Sequence, residues 1–153
     1  MDRESFQKAL DSAGRMLSYQ PLTGQRLRRK LMEKGYDAEM AEQVVEMLTE
    51  RGYVDDLAYA QRAVDVFRRK GYGILRIRQE LRQRGVDRET AEQALFDFET
   101  EEDVLDSLFR KKLKGQTDAK AIQKAAAALS RKGYTWEEIR SAIRRYENEE
   151  NDE

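Results

Sequence analysis

Two adjacent carboxylates, Asp55 and Asp56, and a dense run of cationic side chains just downstream are the residues of this chain whose types could act on another molecule. Paired acids suggest a site for a hard divalent cation. Adjacent residues at a helix start point in different directions, however. Asp is also a favoured N-cap, and its charge suits the positive end of the helix dipole. Capping of a helix that begins near Asp56 is therefore the expected role. The bases are more concentrated: eight basic residues stand against two acidic ones, Asp65 and Glu80, between Arg62 and Arg84. Seven of them, Arg68, Arg69, Lys70, Arg76, Arg78, Arg82 and Arg84, gather where one helical run stops at Gly71 and the next begins. Guanidinium groups bind phosphate and carboxylate by paired hydrogen bonds, so these seven are the candidate partner- or DNA-binding residues. Each also has a local alternative. Arg68, Arg69 and Lys70 complement a helix C-terminus, and Arg76–Glu80 and Glu80–Arg84 have pairing distance along a helix.

Other chemistry is excluded by composition. There is no His and no Cys among the 153 residues. Disulfides, thiolate chemistry, the usual zinc ligand sets and imidazole acid–base catalysis are therefore unavailable. No glycine-rich phosphate loop is present, because the GYG at Gly71–Gly73 follows a helical run rather than a strand. The expected protein is a non-enzyme without cofactor or metal. The start, MDRESFQKAL, has acids and no apolar signal core, and no apolar run is long enough to cross a bilayer, so a cytoplasmic protein is expected. The net charge of −1 averages over segregated zones: the basic stretch above, and an end from Glu147 with five acids and no base. Smaller basic clusters lie at Arg26, Arg28, Arg29, Lys30 and at Arg110, Lys111, Lys112, Lys114.

An internal repeat positions these groups. Three segments align, Leu27–Leu48, Ile77–Phe98 and Ala125–Tyr146, around Gly35, Gly85 and Gly133. Each glycine follows a basic residue at the end of a helical run, the place of a left-handed C′ cap. Next come an apolar residue and a capping residue: Tyr36–Asp37, Val86–Asp87 and Tyr134–Thr135. Thr135 with Glu138 fits a capping box, and Tyr134 with Ile139 a hydrophobic staple. The helices that follow carry stripes in register: Ala41, Val44, Val45, Leu48, then Ala91, Ala94, Leu95, Phe98, then Ile139, Ala142, Ile143, Tyr146. Another helical stretch precedes each segment. The periodicity predicts helices near 4–18, 23–34, 38–50, 56–70, 74–84, 88–98, 101–113, 118–132 and 136–147. The expected fold is all-α, an elongated, curved array of three tandem three-helix repeats over 1–50, 51–99 and 100–153.

At these residues the chain resembles the RecX family, regulators of the RecA recombinase. The likeness lies in RGYVDDLAYA (Arg51–Ala60) and RRKGYGILRIRQELRQRGVDRETAEQAL (Arg68–Leu95), and more faintly in LRRKL (Leu27–Leu31) and GYTWEEI (Gly133–Ile139). It implies tandem three-helix repeats and a monomer that binds the RecA–DNA filament. It also implies limits on filament growth, ATP hydrolysis and strand exchange, in DNA repair, recombination and SOS control. Weakly selective binding to single- and double-stranded DNA is implied as well. The matching motif residues are Asp55, Asp56, Arg68, Lys70, Gly71, Arg76, Glu80 and Leu81, with Gly71 and Leu81 structural and the two acids mostly caps. The segment Gln20–Gln25 lacks a GYG-like turn, and the resemblance gives the acidic end no role. The alternative reading is a stand-alone, non-specific DNA-binding helical protein; steep salt dependence without any need for the recombinase would favour it.

Overall fold

The computed structural model describes residues 2–152, and the described residues form α-helices and no strand. In chain order these are α1 (Arg3–Tyr19), α2 (Gly24–Glu33), α3 (Ala38–Glu50), α4 (Asp56–Arg69), α5 (Ile74–Gln83), α6 (Arg88–Ala94), α7 (Glu102–Leu113), α8 (Ala119–Arg131) and α9 (Trp136–Asp152). Most ends fall within a residue of expectation, and two differ. α6 stops at Ala94 instead of running to residue 98. The acids Asp97, Glu99 and Glu101 would oppose the negative end of a longer helix. Phe98 instead turns into a small cavity walled by Tyr72, Val104 and Tyr134 and is only half-buried, while Phe96 is 91% exposed. α9 continues to Asp152, so the acidic end is helical, with its side chains exposed.

The three aligned turns share one geometry. Gly35, Gly85 and Gly133 have φ of 103°, 89° and 100°. The next residue's amide reaches back across the helix end, from Tyr36 to the Leu31 carbonyl, Val86 to Leu81 and Tyr134 to Leu129, at 3.2, 3.0 and 3.2 Å. Each following helix is then capped. Asp37 accepts from the Met40 amide and Asp87 from the Thr90 amide, both at 2.8 Å. Thr135 and Glu138 form the reciprocal box, at 2.8 and 3.2 Å. The hydrogen bond from the Thr90 amide holds the Asp87 carboxyl below its ordinary pKa.

The chain packs as two compact units, Met1–Ala63 with Leu81–Leu95, and Val64–Glu80 with Phe96–Glu153. α4 and α5 each contribute to both. The first unit buries Ala9, Ala13, Leu27, Leu31, Val44 and Leu48, and the second Leu105, Phe109, Leu113, Ala125, Leu129 and Ile139. Of the apolar stripes read from the sequence, Ala41, Val44, Val45, Leu48, Ala91, Ala94, Leu95, Ile139 and Ala142 are buried, while Phe98, Ile143 and Tyr146 are only partly so.

In each unit a glycine turn seats directly on the N-terminal turn of another helix. In the second unit, the Gly73 amide donates to the Lys132 carbonyl at 2.8 Å and the Leu75 amide to the Gly133 carbonyl at 3.0 Å. The buried Tyr134 hydroxyl donates to the Gly71 carbonyl at 2.8 Å. A Cβ on Gly73 would lie 2.4 Å from the Gly133 carbonyl carbon, and one on Gly133 would lie 2.3 Å from the Arg76 Cβ. In the first unit, the Thr23 hydroxyl donates to the Arg84 carbonyl at 2.6 Å, and a Cβ on Gly85 would lie 2.3 Å from the Gln25 Oε1. A Cβ on Gly35, by contrast, meets nothing within 4 Å.

Two outcomes follow. Gly133→Ala combines a left-handed backbone with a backbone clash and should cost about 3 kcal/mol or more, whereas Gly35→Ala carries the backbone cost alone, about 1–2 kcal/mol; denaturant unfolding of the two variants measures the gap. Burial, helped by nearby Glu138, pushes the Tyr134 hydroxyl up to about 12 from 10. The folded state then holds this proton more tightly than the unfolded chain does. The stabilisation is complete below pH 10 and is lost as pH rises toward 12. Tyr134→Phe should lower stability at neutral pH by about 1 kcal/mol, and its stability should fall less steeply between pH 10 and 12, as melting temperatures across that range would record.

Candidate interaction surface

Asp55 and Asp56 both prove to be caps, for two different helices. Asp55 accepts from the Ala58 amide at 3.0 Å and closes its own helix, α4. Asp56 accepts from the Gly24 amide at 2.9 Å and so caps α2, which lies 32 residues earlier in sequence. The opposite directions expected of adjacent residues at a helix start are what allow this division. Thr23 adds a second cap to α2 by accepting from the Arg26 amide at 3.3 Å. Among the described residues, no three acids group closely enough to hold a metal ion.

The basic run divides between the two units. Arg68, Arg69, Lys70, Arg76 and Arg78 belong to the second, Arg82 and Arg84 to the first. Around the turn that ends α4, Tyr72 stacks on Phe67 with ring centres 5.6 Å apart and planes 15° from parallel. The Arg76 guanidinium lies over the Tyr72 ring, 3.9 Å from its centre, and also donates to the Tyr72 hydroxyl at 3.2 Å. Glu80 approaches Arg76 from one helical turn on, at 3.9 Å, as the spacing predicts. The Tyr72 ring is therefore held by both Phe67 and Arg76. Such cation–aromatic contacts contribute about 0.5–2 kcal/mol according to exposure.

The remaining cations sit differently. Arg68 is exposed and flanked by Asp65 at 3.5 Å and Glu101 at 3.7 Å. Arg69 and Lys70 are exposed, with Lys70 drawn toward the Phe67 ring at 5.8 Å. Arg78 is half-buried. Arg82 is exposed, while Arg84 donates to the Tyr59 hydroxyl at 3.3 Å and lends its carbonyl to Thr23. Leu81 is fully buried and Gly71 carries the left-handed turn, φ 83°, as their structural reading requires. Sequence reasoning missed Thr23, Tyr59 and Tyr134 as polar fasteners. The only sign of them was a hydroxyl placed beside an otherwise apolar or glycine position. The Arg26–Lys30 cluster is also partly engaged, since Arg28 pairs with Glu42 at 2.9 Å.

Comparison with known proteins agrees with this arrangement. The chain matches the RecX first three-helix domain over residues 9–48, the second over 55–95 and the third over 99–143. It is 36% identical over 137 residues to a protein named Regulatory protein RecX from Trichlorobacter lovleyi, covering 84% of this chain and 89% of that one. It is 38% identical over 122 residues to one of the same name from Xanthomonas axonopodis pv. citri, covering 77% and 75%. The fold is similar to the crystal structure of RecX from Lactobacillus salivarius, with TM-score 0.85 and 21% identity over 93% of this chain and 96% of that one. A crystal structure of a regulatory protein RecX gives TM-score 0.82 and 26% identity over 90% and 72%.

Proposed function

The chain belongs to the RecX family, and on that premise we propose that it binds the filament formed by the RecA recombinase on DNA and limits its growth, ATP hydrolysis and strand exchange. The observation that carries this reading is the exposed, cationic end of α4, Arg68, Arg69 and Lys70, inside the segment that matches the family's second domain. A filament of protein on DNA offers both carboxylates and phosphates to such groups. Binding that favours one filament state, or blocks addition at an end, shifts polymerisation and ATP turnover without any chemistry in the regulator itself. It acts as a monomeric cytoplasmic non-enzyme in repair, recombination and SOS control, with weakly selective DNA contact as part of the same engagement. The three-helix repeats 1–50, 51–99 and 100–153 supply the body that carries these cations.

Arg76 and Arg84 are poor probes of this role because their side chains also hold the fold. Arg69 and Lys70 are better. Steady-state ATP hydrolysis by RecA on single-stranded DNA should fall as the unmodified chain is added. The double variant Arg69→Ala, Lys70→Ala should keep its helicity and need roughly three- to tenfold more protein for the same inhibition, the scale of two modest ionic contacts. Unchanged inhibition by the variant removes these cations from the interface, and no effect of the unmodified chain removes the function.

A further inference from the structure

The last turns of α9 should be unstable on their own. Glu147, Glu149, Glu150 and Asp152 crowd the negative end of the helix dipole, and its last turn holds no base. Glu147 and Glu150, and Glu149 and Asp152, also repel at i,i+3. The helix nevertheless continues to Asp152.

What supports it is a seam with α7 along which the charge changes sign. Arg145 on α9 forms a paired bond to Asp106 on α7, at 2.7 and 2.9 Å, with Glu102 3.7 Å away. The hydrogen bonds to Asp106 raise the Arg145 pKa further. Next along the seam, Tyr146 meets Phe109 edge to face at 5.7 Å. Beyond that pair the signs reverse, and Arg110 of α7 pairs with Glu149 of α9. The end of α7 carries Arg110, Lys111, Lys112 and Lys114, all exposed. Lys114 sits in a left-handed conformation, φ 56°, which L side chains adopt at a cost, so a cation stands where the backbone favours glycine.

We infer that the cationic end of α7 is a binding surface for DNA phosphates, occupied in the free protein by the acidic last turns of α9 until DNA displaces them. The inference rests on the reading that this protein contacts DNA. Charge density favours a nucleic acid as the displacing partner. Four carboxylates over six helical residues, at 1.5 Å per residue, give roughly one charge per 2 Å, close to the ~1.7 Å of duplex DNA. Of these carboxylates Glu149 meets α7 directly, through Arg110, and the others add to the negative potential around the same end of α9. The Arg110–Glu149 pair is also easily exchanged, because its side chains are 52% and 56% exposed and ion pairs in water are weak. The Phe109–Tyr146 contact sets the limit of release: turns beyond Tyr146 fray and those before it stay packed.

The test uses the full chain and a fluorescently labelled oligo-dT strand. Neutralising α9 with Glu147→Gln, Glu149→Gln, Glu150→Gln and Asp152→Asn should tighten binding about tenfold at low salt. The gain should fade as ionic strength rises and screens the internal attraction. A control quartet elsewhere, Glu33→Gln, Glu39→Gln, Glu46→Gln and Glu50→Gln, removes the same charge and should gain clearly less. Added to a chain whose Arg110, Lys111, Lys112 and Lys114 are all Gln, the α9 changes should gain almost nothing, with melting temperature confirming that each variant folds. No gain, an equal gain from both quartets, or a gain that survives loss of the α7 cations overturns the masking. An unmodified chain that fails to bind the strand overturns the underlying DNA reading too. Tighter binding to RecA alone, with DNA binding unchanged, assigns the surface to an acidic protein partner instead.

Discussion

The fold depends on bringing two stretches of main chain closer than any side chain would allow. In the second unit the turn around Gly133 lies against the start of α5 so closely that a methyl group on either Gly73 or Gly133 would overlap backbone or Cβ atoms of the other stretch. The contact also resolves a general problem of helices, whose first amides lack intrahelical partners. α5 uses carbonyls of the Gly133 turn for this purpose in place of a side-chain cap. α2 uses the more familiar device, with Asp56 and Thr23 as acceptors. In the first unit the Gly85 turn meets the start of α2 in the corresponding way, and Thr23 there bonds both its own helix and the Arg84 carbonyl.

This constraint separates the cations that build the protein from those left exposed to solvent. Arg76 stands at the contact, since its Cβ is the atom a side chain on Gly133 would strike, and its guanidinium packs on the Tyr72 ring. A planar, delocalised cation suits that place, and Lys would lose both the stacking and the bond to the Tyr72 hydroxyl. Arg69 and Lys70 lie at the end of the preceding helix, α4, and remain exposed. The same basic run is therefore split between a residue packed on aromatic surface and residues left exposed.

What could be read in the sequence was whatever is encoded within a dozen residues. The glycine–apolar–cap punctuation at Gly35, Gly85 and Gly133 fixed the turns, the caps and the stripes that follow, because a left-handed turn and an N-cap are each decided by neighbouring side chains. Long-range partners were not legible. Nothing near Asp56 indicates that its acceptor oxygen serves Gly24, and nothing near Tyr134 points to the Gly71 carbonyl. The two misjudged helix ends have the same origin. Local pattern carried α6 through Phe98, but packing in a separate cavity drew that ring away. The apolar stripe ends at Tyr146 and so gave no sign of helix beyond residue 147, where Arg110 pairs with Glu149 from another helix.

The seating of the glycine turn is tested most directly by amide hydrogen exchange at Leu75, measured against Lys120. Both residues are second in their helices, α5 and α8, where an amide normally faces water. α8 begins with Asp118, whose side chain makes no capping bond. If the Gly133 carbonyl holds the Leu75 amide as described, Leu75 should exchange about a hundredfold or more slowly than Lys120, at a rate governed by opening of the packed unit. Equally fast exchange at the two amides would mean that the turn is not seated there, and the account of the fold would fail with it.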